Sequence, residues 1–163
     1  MSKGVVSSRT GRAVAIVRIV TGIIFVAEGV SKIAGDFVRG GFAQDVREIA
    51  AERSWPFWRS FLESVVAPNA GPFGWFFALA ELALGIALLL GLFTRAAALC
   101  GVLLMAILLL GQTYVPGASW DRWITSALNA KFGLLLLWML YLTDAGRVWG
   151  LDGRRARATV RRS

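Results

Sequence analysis

Four apolar stretches, each long enough to cross a lipid bilayer as a helix, constrain this chain more than any other feature. They run from about Ala13 to Ala34, Pro72 to Leu92, Ala96 to Tyr114 and Ile124 to Leu142. A hydrocarbon core needs roughly 20 helical residues to span it. Inside it every backbone N–H and C=O must find a partner within the protein, so runs of this length resolve as helices. Composition agrees: 56% of the 163 residues are hydrophobic and the mean hydropathy is +0.62, well above an ordinary soluble domain. The expected architecture is all-α, an integral membrane four-helix bundle. Arg18, Glu28 and Lys32 interrupt the first run. No small-residue cleavage site follows a clean apolar core, so that run reads as a retained helix and not a signal peptide.

The formal net charge is +8, but its placement argues against nucleic acid. Lys3, Arg9 and Arg12 precede the first run, and six arginines (Arg147, Arg154, Arg155, Arg157, Arg161, Arg162) lie in the last 17 residues. Cations flanking apolar runs set orientation and attract anionic lipid. Gly91-Leu92-Phe93-Thr94-Arg95 is a tight turn, so the second and third spans form an antiparallel hairpin. The loop 35–71 carries four arginines against five acids, and the loop 115–123 one of each. Both are then expected outside, with both termini cytoplasmic and the chain in the cell membrane. The chain divides into a basic N-terminus (1–12), a transmembrane domain (13–152) and an Arg-rich tail (153–163) expected to be disordered. There is no histidine and one cysteine, Cys100, within an apolar run. That excludes a disulfide within the chain, histidine-ligated haem, and most zinc and copper sites. Cys100 is expected in the core, and no metal site is expected.

The long outer loop has its own pattern. Val38, Phe42, Val46 and Ile49 recur at helical spacing, with Arg39, Asp45, Arg47, Glu48, Glu52 and Arg53 between them. This predicts an amphipathic helix lying over the bundle mouth or the membrane surface. Ser54 can cap a second short helix containing Trp55, Pro56, Trp58, Phe61, Leu62 and Val65, which Pro68 and Gly71 would end. Trp55, Trp58, Trp75, Trp120 and Trp123 fall at the outer interface. An aromatic belt accounts for them; alternatively one or two of them wall a ligand site.

Ionisable residues within a bilayer cost about 3 kcal/mol each, so each needs a partner or a role. Arg18, Gly22, Phe25, Gly29 and Lys32 form one stripe on the first helix, and Gly74, Ala78, Glu81 and Gly85 another on the second. Small residues permit close helix approach, so the stripes are expected to face each other. Glu28 lies four residues before Lys32 and can touch it. Glu81 sits about 12 Å below the outer end of its span. Glu28, Lys32, Glu81, Gln112, Asn129 and Lys131, with Tyr114 above them, are then expected in one layer whose acids and lysines cancel. Such a layer suits a small-ligand or quinone headgroup pocket: Glu81 and Glu28 would exchange protons, and Lys32, Lys131, Asn129 and Gln112 would bind. The layer also suits a network that only holds helices in register, and both lysines can snorkel. Arg18 and Arg95 are expected to anchor headgroups near the inner face, and Asp144 to pair with Arg147.

Arg18-x3-Gly22-x2-Phe25-x3-Gly29-x2-Lys32 resembles the first helix of the DoxX/DoxD family. Glu81-x3-Gly85 running into Gly91-Leu92-Phe93-Thr94-Arg95 resembles its second helix and turn. Gly146-Arg147-x2-Gly150-Leu151-Asp152 resembles the close of its DoxD-like members. The resemblance covers about residues 13–152, and the long loop with Trp55, Trp58 and Pro68 leans toward the DoxD-like branch. It implies a four-helix membrane subunit of thiosulfate:quinone oxidoreductase type, working with quinone and a DoxA-like subunit. The loop arginines Arg39, Arg47, Arg53 and Arg59 are added candidates for holding thiosulfate. Relatives of the DoxX-like branch imply the alternative, a non-enzymatic anchor for soluble redox proteins such as a dismutase or a sulfurtransferase. A small transporter is a third reading, assembled from more than one copy of the chain, but the sequence shows no inverted repeat.

Overall fold

A computed structural model of the chain describes residues 8–52, 54–113, 117, 119–143 and 145–154. Among them there are helices and turns and no strand. Helix α1 (Ser8–Ala34) leads through a 3-10 turn (Phe37–Arg39) to α2 (Gly41–Glu52). Helix α3 (Pro56–Phe61) continues through a π turn (Leu62–Val66) and a 3-10 turn (Ala67–Asn69) into α4 (Ala70–Leu90). Then come α5 (Thr94–Gln112), α6 (Trp120–Thr125), α7 (Leu128–Leu142) and a 3-10 turn (Ala145–Arg147). Among the described residues three helical runs, Arg9–Arg39, Pro56–Leu90 and Thr94–Gln112, are long and apolar enough to cross a membrane. The chain is an all-α membrane bundle. Helix α1 starts at Ser8 and includes Arg9 and Arg12. Residues 151–154 form a helical turn; the rest of the Arg-rich tail, and Arg53, Tyr114 and Asp144, lie outside the described residues.

The two small-residue stripes pack against each other, as their spacing predicts. A Cβ added at Gly85 would lie 2.5 Å from the Val26 nitrogen and 2.9 Å from the Gly22 oxygen; one at Gly29 would meet the Leu82 nitrogen at 2.8 Å. Backbone thus runs against backbone along α1 and α4, a contact that only glycine permits at these points. Helix α5 packs in turn on α7, with Gly101 against Leu137 and Gly133 against Met105. Phe25, Leu84, Leu88, Leu104, Met105 and Leu137 form the shared core. Ile23, Ile24, Leu79, Ile86, Leu103 and Leu135 point outward, each about half exposed or more, which gives the bundle the apolar exterior that lipid requires.

Four expectations are corrected. The fourth apolar run is not one helix from Ile124 to Leu142. It breaks where Ser126 is extended and Ala127 takes a left-handed φ of 50°. Lys131 Nζ then donates to the Ile124 oxygen at 3.0 Å, a carbonyl that an unbroken helix would have satisfied through the amide of residue 128. Pro68 and Gly71 do not end the second loop helix; the chain stays helical into α4, Pro68 lying in the turn Ala67–Asn69. Ser54 does not cap α3. Its hydroxyl donates back to the Ile49 oxygen at 2.7 Å, and α3 starts instead at a proline preceded by Trp55. Cys100 is exposed on α5, not in the core; lipid is as apolar as a core, so an apolar run does not reveal which face turns inward.

The amphipathic helix is present as α2. Its Val46 and Ala50 are buried against Leu62 and Val66, and Phe42, Ile49, Trp58 and Phe73 pack around them. This second core holds α2 and α3 as a roof over one end of α4 and α5.

Candidate functional site

The close approach of α4 to α1 at Gly29 places Lys32, one turn further along, beside Glu81. Lys32 Nζ donates to Glu81 Oε2 in a direct ion pair. The side chain of Glu81 is 4% exposed and that of Lys32 23%, so the carboxylate is buried while the ammonium keeps an edge toward the surface. Lys32 Nζ also lies 5.4 Å from the centre of the Phe37 ring, a cation–π distance. The aromatic series continues from Phe37 to Phe42 (5.3 Å between centroids) and from Phe42 to Phe77 (5.6 Å). Phe77 is one turn from Glu81 on the same face of α4.

Phe42 and Phe77 also line a cavity of about 220 Å3 beneath α2 and α3, with Val46, Trp58 and Ile107. Its surroundings are almost wholly apolar, with Gln112 the polar side chain at its wall. Trp58, stacked on Phe61 at 5.0 Å, walls this cavity. Trp55, Trp75 and Trp120 are exposed, as a belt requires, and the side chain of Trp123 lies outside the described residues. The site thus has two parts. A buried acid–base pair can exchange hydrogen bonds with a polar group, and an apolar chamber one aromatic layer away can take a hydrophobic body.

The expected six-residue layer divides among different surroundings. Lys32 and Glu81 meet. Glu28 does not take Lys32, which reaches across to α4; Glu28 itself is exposed on α1. Gln112 belongs to the cavity wall. Beyond the break in the fourth run, Lys131 serves the Ile124 carbonyl and Asn129 is exposed. Three of the loop arginines donate to backbone oxygens: Arg39 to those of Ala34 and Gly35 at the end of α1, Arg47 to that of Ala43 within α2, and Arg59 to that of Ala51 near the end of α2.

A second constellation, at the end where α1 starts, was not foreseen. Arg18 anchors no headgroup; it is fully buried. Its guanidinium donates to the oxygens of Ala145 (2.9 Å), Val148 (3.3 Å) and Trp149 (3.1 Å). Asp152 accepts from the backbone N–H of Phe93 and of Thr94, both at 2.9 Å, closing the start of α5, where a carboxylate is favourable. Its own N–H donates to the Gly91 oxygen at 3.0 Å. The family resemblance had marked these residues, but their partners are backbone atoms, which leave no mark in a side-chain pattern. Arg95 lies over the Tyr141 ring at 5.4 Å.

A family model described as DoxX matches residues 13–112. No curated protein and no solved structure shows significant similarity to the chain.

Proposed function

Since the chain belongs to the DoxX family and is a membrane protein of that type, we propose that it is the membrane subunit of a redox system, with a quinone held at the Lys32–Glu81 end of the bundle. The observation that carries this reading is a buried ion pair set one aromatic layer from an apolar cavity. A quinone combines the matching parts: a carbonyl oxygen that an ammonium can polarise, and a hydrophobic ring and tail. Lys32 donates to the carbonyl oxygen, and Glu81 holds and releases a proton next to it. In a thiosulfate:quinone oxidoreductase, two thiosulfates join as tetrathionate and give up two electrons, and the quinone takes these with two protons to become quinol. A DoxA-like subunit would complete that assembly.

Mass spectrometry of solvent extracts from detergent-purified protein tests this reading. Wild type should carry quinone in near-stoichiometric amount, and Lys32→Met should lose it. Absence of quinone, together with no thiosulfate-dependent quinone reduction in the presence of its partner subunits, defeats it.

A second reading, an anchor for soluble redox proteins, is favoured by Arg95 and Arg154, exposed at the opposite end, and by the arginine-rich sequence that follows. Deleting 153–163 should then abolish co-purification of partners, whereas Glu81→Gln should leave it intact.

A further inference from the structure

We propose that the end of the bundle where α1 starts and α4 ends carries a groove for the phosphate of an anionic phospholipid, formed by Arg147, Arg154 and Trp149 over Leu89 and Leu90. The groove has a volume of about 520 Å3 and is completed by Gly150, Leu151 and Gly153.

Its shape follows from Arg18. By gathering the carbonyls of Ala145, Val148 and Trp149 onto one guanidinium, the buried arginine wraps this segment around itself. Gly150 lies against the same group, since a Cβ there would be 2.6 Å from Arg18 Nη1. Trp149 is left with a positive φ of 53°, a conformation costly for a bulky residue and kept only where its surroundings enforce it. The indole consequently points out, 62% exposed, and the Arg147 and Arg154 side chains are exposed beside it. The Arg18 guanidinium lies behind Gly150 and adds positive charge to the wall of the groove, while Asp152 accepts from the amides of Phe93 and Thr94.

The floor indicates a lipid and not a soluble phosphate. Leu90 is 48% exposed, and Ile86, one turn away on α4, is 45% exposed. The groove therefore opens along the apolar flank of α4. A phosphodiester at the arginines leaves its acyl chains lying on that flank, with Trp149 at the depth where indoles favour the membrane interface. Guanidinium pairs match phosphate oxygens bidentately. Inorganic phosphate would have no use for an apolar floor.

The test is native mass spectrometry of the full-length detergent-purified protein after exchange with equal amounts of phosphatidylglycerol and phosphatidylcholine. Wild type should retain phosphatidylglycerol selectively. Arg147→Gln with Arg154→Gln should lower that preference roughly ten- to thirty-fold, given about 1 kcal/mol for each surface cation. The corresponding double lysine variant should keep most of it and serves as the check on folding. A chain ending at residue 154 should also keep it. The proposal fails if the glutamine pair retains the preference, if removing 155–163 abolishes it, or if inorganic phosphate at equal concentration displaces the lipid.

Discussion

Replacing Lys32 by Met removes the partner of a carboxylate whose side chain is 4% exposed, while Lys32 itself keeps 23%. Breaking a fully buried ion pair from one side costs about 3–5 kcal/mol. The partial exposure of the ammonium lets water reach the site, which puts Lys32→Met near the lower end, about 3 kcal/mol. Removing the other side is cheaper. After Glu81→Leu the lysine can swing its charge outward, and the expected loss is about 1 kcal/mol. The double variant leaves no buried charge and should unfold within about 1 kcal/mol of wild type, because apolar replacement of both partners is often neutral. The coupling between the two sites is then about 3–4 kcal/mol. It can be read from equilibrium unfolding in mixed detergent micelles, followed by far-ultraviolet circular dichroism. If the single losses add in the double variant to within about 0.5 kcal/mol, the two side chains act independently, and the buried pair is not the organising feature of that end of the bundle.

Other perturbations test the frame around it. Gly85→Val puts a side chain 2.5 Å from the Val26 nitrogen, where neither backbone can yield; a loss of about 3 kcal/mol should appear as a lower unfolding midpoint in detergent. Gly71→Ala, with nothing within 4 Å of the added carbon, should change stability by less than about 0.5 kcal/mol. Asp152→Ala strips the acceptor from the Phe93 and Thr94 amides and should cost about 2 kcal/mol, visible as faster hydrogen exchange at the start of α5.

The parts of this molecule that could be read from its sequence are those in which side-chain spacing carries the signal. Gly22 and Gly29 on one helix and Ala78 and Gly85 on another announce a close packing seam, and the seam places Lys32 against Glu81. Val46 and its neighbours announce a helix with one apolar face, and that face closes the cavity. The failures share a different cause. Arg18 spends its donors on carbonyls 127 to 131 residues away, and carbonyls are common to every residue type. Glu28 stands at a favourable spacing from Lys32 on its own helix, yet a carboxylate from the facing helix takes the ammonium; spacing along a helix cannot rank partners across a seam. Ser126 and Ala127 contain neither proline nor glycine to warn of a break. Membership of the DoxX family was legible because its motifs combine glycine spacing with a short turn, both of which survive as geometry.

The break at Ala127 has a consequence for the surrounding bilayer. Helix α7 comprises 15 residues, which is about 22 Å of helix beside hydrocarbon about 30 Å thick. Lipid in contact with α7 alone would have to compress or disorder its chains to match this length, at a fraction of a kcal/mol for each ångström of mismatch. The protein thus has apolar helices of unequal length, 21 residues in α4 against 15 in α7. A second copy, or a partner with a similarly short span, would relieve that deformation by packing against α7.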